Sequence, residues 1–139
     1  MLSKALPGRL TGLRVVFLSL VALFIAISAP NGAPTDYQFT AATPSLKVGP
    51  GALITIRLVH RPTGKPVGEA VLFRVRLDMS PAGMADMATD VSPLPSAEAG
   101  IYRFRADLPH AGDWALTVQA KVPGEAATVT GNMLVKVIQ

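Results

Sequence analysis

Apolar and polar side chains alternate with a period of two through most of the chain after Pro34. This period is typical of β-strands that bury one face. The clearest runs occupy residues 54–59, 71–78, 101–106 and 114–121. In the second run, the alternation assigns Val71, Phe73, Val75 and Leu77 to one face. In the last run it assigns Trp114 to the buried face, so we expect this only tryptophan to belong to the core.

Weaker patterns extend the strand prediction to about seven strands. Residues 37–40 and 46–48 fit short strands, and residues 126–138 fit a long strand in which Gly131 and Asn132 suggest a bulge. Proline and glycine mark turns at residues 61–66, 109–113 and 123–125. The pattern therefore predicts an all-β fold, an immunoglobulin-like antiparallel β-sandwich, over residues 35–139.

Residues 1–34 have a different character and predict an N-terminal hydrophobic helix before the sandwich. Lys4, Arg9 and Arg14 precede an uncharged apolar run at residues 15–29. That run fits a signal peptide, and because it is shorter than the ~20 residues of a full span, cleavage and membrane anchoring both remain open. In either case the basic flank stays cytoplasmic, so we expect residues 35–139 to be periplasmic or otherwise extracytoplasmic.

Charge and composition exclude several classes of function. The net charge is +4, but Lys4, Arg9 and Arg14 account for three of these positive charges, so the predicted domain lacks the basic excess of a nucleic-acid-binding protein. The chain has no cysteine, which excludes disulfides and thiolate metal ligands. No catalytic constellation and no phosphate-binding glycine loop is present, so we expect no enzyme and no small-molecule substrate.

The candidate chemistry lies in residues 78–95, where the alternation stops and a long loop is predicted. Met79, Met84 and Met87 cluster there, and thioether sulfur suits a soft ion such as Cu(I). Each of the two histidines, His60 and His110, lies beside a turn and could complete such a site. Alternatively, the methionines fill the core or contact a partner.

Charged residues in and around this segment favour ordinary surface roles. The spacing of Asp78, Asp86 and Asp90 does not fit a Ca²⁺-binding loop, so we expect them to be solvated. Two pairs of arginines each point to one side of a strand and would form a basic stripe if those strands were neighbours, namely Arg74, Arg76, Arg103 and Arg105.

Several short motifs occur in an order that resembles the YtkA-like domain and the related FixH-like proteins, over about residues 36–122. They are Thr63-Gly64-Lys65-Pro66-Val67, Ala70-Val71, the three methionines, Gly100-Ile101-Tyr102 and the hairpin from Leu108 to Trp114. The resemblance implies an exported or membrane-tethered immunoglobulin-like sandwich with a role near copper handling or cytochrome oxidase assembly. The family often has methionine where this chain has His110, which implies a mixed Met/His site if the hairpin faces the methionines.

Two functions follow from the sequence. The first is a soft-metal protein that binds or delivers copper, or assists assembly of a copper-containing membrane complex, through Met79, Met84, Met87 and His110. The second is a metal-free module that binds a protein partner in an envelope complex. In both cases the N-terminal segment would attach the chain to the membrane if it is not cleaved. Converging exposed sulfur atoms would favour the first function, and buried scattered ones the second.

The charge distribution of the leader generates a topological prediction. A reporter enzyme that is active only after export, fused after Gln139, should be active because Lys4, Arg9 and Arg14 hold the N-terminus in the cytoplasm. The measurement is reporter activity in intact cells. Activity of a reporter that works only in the cytoplasm would contradict the extracytoplasmic location.

Overall fold

The computed structural model describes Gly8 and residues 33–139. The predicted hydrophobic helix and signal peptide or anchor lie outside the described residues. In the part of the chain that is described, no helix is long and apolar enough to cross a membrane.

Ten strands and two short 3-10 turns make up the described domain. The 3-10 turns are Pro34–Asp36 and Ser80–Ala82. The strands are β1 (Tyr37–Ala41), β2 (Ser45–Lys47), β3 (Gly49–His60), β4 (Lys65–Pro66), β5 (Val71–Met79), β6 (Met84–Thr89), β7 (Val91–Leu94), β8 (Ile101–Leu108), β9 (Gly112–Lys121) and β10 (Val129–Ile138). The three strands beyond the predicted seven are the short strands β4, β6 and β7.

These strands form two five-stranded sheets, which confirms the predicted sandwich. Sheet A has the order β1-β3-β8-β7, with β4 also paired to β3. Sheet B has the order β2-β10-β9-β5-β6. All pairs are antiparallel except β2 with β10, which run parallel. The chain crosses from sheet B to sheet A between β6 and β7, at Asp90.

The core lies between the sheets and follows the alternation. Ile54, Ile56 and Leu58 of sheet A form one hydrophobic cluster with Trp114 and Leu116 of sheet B, all at most 1% exposed. The Trp114 Nε1–H donates a hydrogen bond to the carbonyl oxygen of His110 at 3.1 Å, so the indole is both buried and satisfied. The expected core position of Trp114 is therefore confirmed.

The predicted face of β5 is wrong in its first half. A bulge shifts the β5–β9 register between Leu72 and Arg74, so the residue between them has no cross-strand partner. Leu72 consequently packs against the core, whereas Val71 and Phe73 are more than half exposed. The alternation of buried and exposed residues resumes at Val75. Because the sequence itself keeps alternating through the bulge, periodicity alone does not reveal it.

The predicted bulge in β10 is also wrong. The pairing of β10 with β9 continues without a register shift from Val129 to Val137. Gly131 has another role, because a Cβ atom there would overlap the ring of Phe39 from β1. The glycine allows β1 of one sheet to approach β10 of the other, and this contact is long-range.

The long loop predicted at residues 78–95 is a third difference. The segment instead contains the end of β5, the turn Ser80–Ala82, and strands β6 and β7. β6 pairs with β5 only from Leu77 to Met79, and β7 pairs with β8. Because each short strand covers only the edge of a sheet, its side chains lack a regular alternation of apolar and polar residues.

Replacing Trp114 by alanine should lower the free energy of unfolding by about 3–5 kcal/mol, since a large buried side chain would leave a cavity. Leu134→Ala, on the outer face of β10 where the side chain is 59% exposed, is the control and should change it by less than about 0.5 kcal/mol. Denaturant unfolding followed by circular dichroism measures both. Equal stabilities of the two variants would show that Trp114 does not support the core.

Candidate soft-metal site at one end of the sandwich

Met79 and Met84 lie side by side where β5 turns back into β6. They are cross-strand partners, and the 3-10 turn Ser80–Ala82 and Gly83 connect them. Gly83 has φ +76°, the left-handed conformation that glycine adopts most readily, and its N–H donates to the carbonyl oxygen of Ser80. This tight turn brings the two thioether side chains to the same end of the sandwich.

The hairpin between β8 and β9 packs against this end and carries His110. Gly112 has φ +137°, and a Cβ atom at this position would lie 3.0 Å from Cε of Met79. Glycine therefore leaves the space that the Met79 methyl group occupies. Because His110 stands two residues before Gly112 in the same turn, Met79 lies next to the turn that carries His110.

The predicted ligands differ strongly in exposure. Met84 is 42% exposed and His110 is exposed, whereas Met79 is 2% exposed and belongs to the hydrophobic core. Met87 lies on β6, is half-buried and packs against the core. The four residues thus combine two exposed side chains with two that pack inside.

His60 cannot contribute to this end. Gly49, the first residue of β3, pairs with Leu108 near His110, and His60 is the last residue of the same strand. Eleven residue steps separate the two ends of β3, which corresponds to roughly 35 Å. His60 instead has Nδ1 at 2.8 Å from the Thr63 hydroxyl, and its ring lies 5.2 Å from that of Tyr37. Of the two histidines expected to be able to complete the site, only His110 lies at this end of the sandwich.

Asp78 is a residue whose role the sequence did not reveal. It was expected to be solvated, but it is the one buried charged residue of the described chain. Its carboxylate accepts hydrogen bonds from the backbone N–H of Ser80 at 3.0 Å and from Nε of Arg76 at 2.7 Å. The bond to Ser80 fixes the start of the turn that joins Met79 to Met84, so Asp78 positions this end.

Hydrogen bonding by Ser80 is the main cause that lowers the pKa of Asp78. Burial opposes it and raises the pKa, while Arg76 lowers it further through its hydrogen bond and its charge. The net shift is downward, which means that the folded structure favours the carboxylate form. The only signal for this in the sequence is an aspartate two residues before a serine at the end of an alternating run.

The four arginines of β5 and β8 do not form one basic stripe, because the two strands are not neighbours. Arg74 and Arg76 lie on β5 in sheet B, whereas Arg103 and Arg105 lie on β8 in sheet A. The β5 pair instead borders an open cleft of about 790 Å³, together with residues 88–92 at the crossing between the sheets. None of the predicted metal ligands lines this cleft.

Oxygen, imidazole and thiolate ligands do not cluster in this domain. Among residues 33–139, no three or more histidine, cysteine, aspartate or glutamate side chains lie close enough to hold a metal ion. Any site at this end would therefore depend on the thioethers of Met79 and Met84 with the imidazole of His110, a soft donor set.

The two packed sheets define a small β-sandwich domain. Residues 32–119 match the family model described as YtkA-like, and the chain belongs to that family. The resemblance to FixH-like proteins stays a prediction. A search of curated proteins finds no match.

Two solved structures are similar to this chain at low identity. The crystal structure of the Lin-41 filamin domain has a TM-score of 0.45 and 12% identity, covering 74% of this chain and 92% of that one. The ZirS C-terminal domain has a TM-score of 0.46 and 13% identity, covering 100% of this chain and 88% of that one.

Asp78→Asn should reduce stability most at neutral pH and least in acid. A carboxyl group with a lowered pKa in the folded state stabilises above its unfolded pKa of about 3.9, and this contribution disappears as pH falls through the folded pKa. The expected loss at pH 7 is about 1.5–3 kcal/mol, since the hydrogen bonds involve a charged group. Urea unfolding of both proteins at pH 7 and below pH 4 measures it. A difference between the proteins that is constant with pH would contradict the role of the charge.

Proposed function

We propose that this domain binds Cu(I) through Met79, Met84 and His110, and that it delivers copper to, or assists assembly of, a copper-containing membrane complex outside the cytoplasm. It acts as a binding protein and not as an enzyme. The observation that carries the proposal is the packing of Met79 against Gly112, which joins the paired methionines to the turn of His110.

The three side chains would have different roles. Met84 and His110 are exposed and can meet an arriving ion, whereas Met79 is buried and belongs to the core cluster. Two thioethers and one imidazole suit Cu(I) without favouring Zn²⁺ or Ca²⁺. Met87 was predicted as a fourth ligand, but it packs against the core, so the proposal does not depend on it.

A metal-free interaction module is the second candidate function. The observation in its favour is the burial of Met79 and Met87, because a methionine that fills the core needs no metal to account for it. On this alternative, Met84 and the neighbouring turn would contact a protein partner of the envelope directly.

A competition titration with a chromophoric Cu(I) chelator tests the first function on the full-length protein. Met84→Leu should weaken Cu(I) binding at least about tenfold, since even residues that only support a ligand often contribute that much. The substitution conserves volume and should change stability by less than about 1.5 kcal/mol. Met133→Leu, which removes a buried sulfur from β10, is the matched control and should bind as the parent does.

The imidazole has its own test. His110→Gln should weaken Cu(I) binding, whereas His60→Gln, at the opposite end of β3, should not. Affinity of the parent should fall on acidification from about pH 8 to about pH 5, because a ligating imidazole must be neutral. The His110→Gln variant should lose most of this pH dependence. If the parent does not bind Cu(I), or if Met84→Leu binds like the parent, the interaction module replaces the metal function.

A further inference from the structure

The outer face of sheet A carries an arginine face, which we define as Arg57 on β3 with Arg103 and Arg105 on β8. All three side chains are exposed. Arg57 pairs with Ile101, and Arg103 pairs with Thr55 two residues along the same two strands, so the two arginines are diagonal neighbours about 7–8 Å apart. Arg105 follows two positions after Arg103 and points to the same side.

No acidic residue stands opposite any of these arginines. Their cross-strand partners are all uncharged: Thr40 and Ile101 for Arg57, Thr55 and Leu94 for Arg103, and Leu53 and Ser92 for Arg105. The single ion pair within residues 33–139 joins Arg76 to Asp78 in the other sheet. Glu98 borders Arg57 and Arg103 without pairing with either, and Asp107 accepts the N–H of Gly51 at 2.7 Å.

The outer face of sheet B differs in that two of its cations have acidic partners. There Lys136 stands opposite Asp113 and Arg76 binds Asp78, whereas Arg74 stands opposite the uncharged Gln119. The arginine face also contains Leu53, which is 48% exposed and lies opposite Arg105. Exposed leucine beside arginine suits a membrane interface, where apolar atoms enter the headgroup region and cations meet phosphates.

The start of the domain is fastened to the same sheet. The backbone N–H of Arg61 donates a hydrogen bond to the carbonyl oxygen of Asp36 at 2.7 Å. The Arg61 guanidinium donates to the carbonyl oxygen of Thr35. The N–H of Ala33 donates to the Asp36 carboxylate at 2.8 Å. The chain thus joins β1, the edge strand of sheet A, through a segment that is tied to the end of β3.

Little chain separates this segment from the apolar run. The run ends at Ala29 and the tied segment begins at Ala33, so four residue steps span at most about 14 Å. If residues 15–29 stay in the membrane, the edge of sheet A must lie close to the lipid headgroups. A tether this short keeps the local concentration of lipid high, so a weak electrostatic contact is sufficient.

We propose that the arginine face docks on anionic lipid headgroups, so that the domain lies with sheet A against the membrane surface. This proposal rests on membrane attachment through residues 15–29, which the sequence predicts, and on the extracytoplasmic location of the proposed function, but not on copper. Docking in this orientation leaves the end with Met84 and His110 free, beside the membrane and roughly 35 Å along β3 from the tether. That end could then meet the extramembrane part of a neighbouring membrane complex.

Site-specific fluorescence on the full-length chain tests the orientation. Because the chain has no cysteine, Ser92→Cys places a single donor dye on the arginine face, and Asn132→Cys places one on the outer face of sheet B. The protein is reconstituted into phosphatidylcholine vesicles with or without phosphatidylglycerol, and energy transfer to a headgroup-attached acceptor is measured. We expect strong transfer from position 92 only with phosphatidylglycerol, weak transfer from position 132, and loss of the difference at 1 M salt, where screening is nearly complete.

Charge variants identify the residues responsible. In the Ser92→Cys background, replacing Arg57, Arg103 and Arg105 by glutamine should lower the ratio of docked to undocked protein about fivefold per arginine, or about a hundredfold in all. The matched control replaces three exposed cations of sheet B by glutamine, namely Lys47, Arg74 and Lys136, and should leave docking unchanged. Equal loss in both triple variants would overturn the proposal, because net charge and not the arginine face would then be responsible.

Vesicle flotation separates this proposal from the membrane attachment. If the protein floats with both kinds of vesicle but transfer from position 92 is the same in both, the anchor stands and docking is wrong. If it floats with neither, both are wrong. If position 92 approaches the bilayer only when other membrane proteins are present, the face binds a protein, which also overturns the lipid proposal.

Discussion

The structure depends on burial of the alternating apolar side chains between two sheets. Trp114, Leu116 and Val118 of β9 form one cluster with Ile54, Ile56 and Leu58 of β3, and this contact sets which face of every longer strand points inward. A shift of one residue in either strand would exchange its buried and exposed faces, so register and core are specified together. In a domain of about a hundred residues without disulfides, this burial supplies most of the stabilisation.

Glycine positions allow the sandwich to close around this core. Gly131 leaves room for the Phe39 ring where β1 meets β10, and Gly112 leaves room for the Met79 methyl group where the β8–β9 hairpin meets β5. Both contacts join segments that are far apart in the chain. The second of them links the end of the core to the candidate metal site.

The two ends of the sandwich differ in chemistry. At one end the chain enters the domain through the segment held by Arg61, where the Tyr37 hydroxyl donates to Glu125 at 2.6 Å. Burial, followed by the hydrogen bond to Glu125, raises the pKa of Tyr37 to about 12, which keeps this phenol neutral as a donor. At the other end, Met79 pairs with Met84 across a turn that Asp78 holds, and Met79 also packs against Gly112 in the hairpin that carries His110. The candidate soft-metal site would thus lie at the end of the sandwich opposite the one where the chain enters the domain.

The sequence by itself determined the fold class, the longer strands and the core position of Trp114. Period-two alternation encodes these features because each long strand buries one face against the other sheet, and that requirement is local in sequence. The expectation that the methionines lie near His110 rests on the family resemblance, and the structure places Met79 beside that turn. Tertiary structure alone decided that residues 78–95 contain β6 and β7, that Phe73 is exposed and Leu72 partly buried, and that Asp78 is buried. It also separated Arg74 and Arg76 from Arg103 and Arg105, and His60 from His110. These outcomes depend on which strands become neighbours, and strand order is set by long-range packing that no local pattern records.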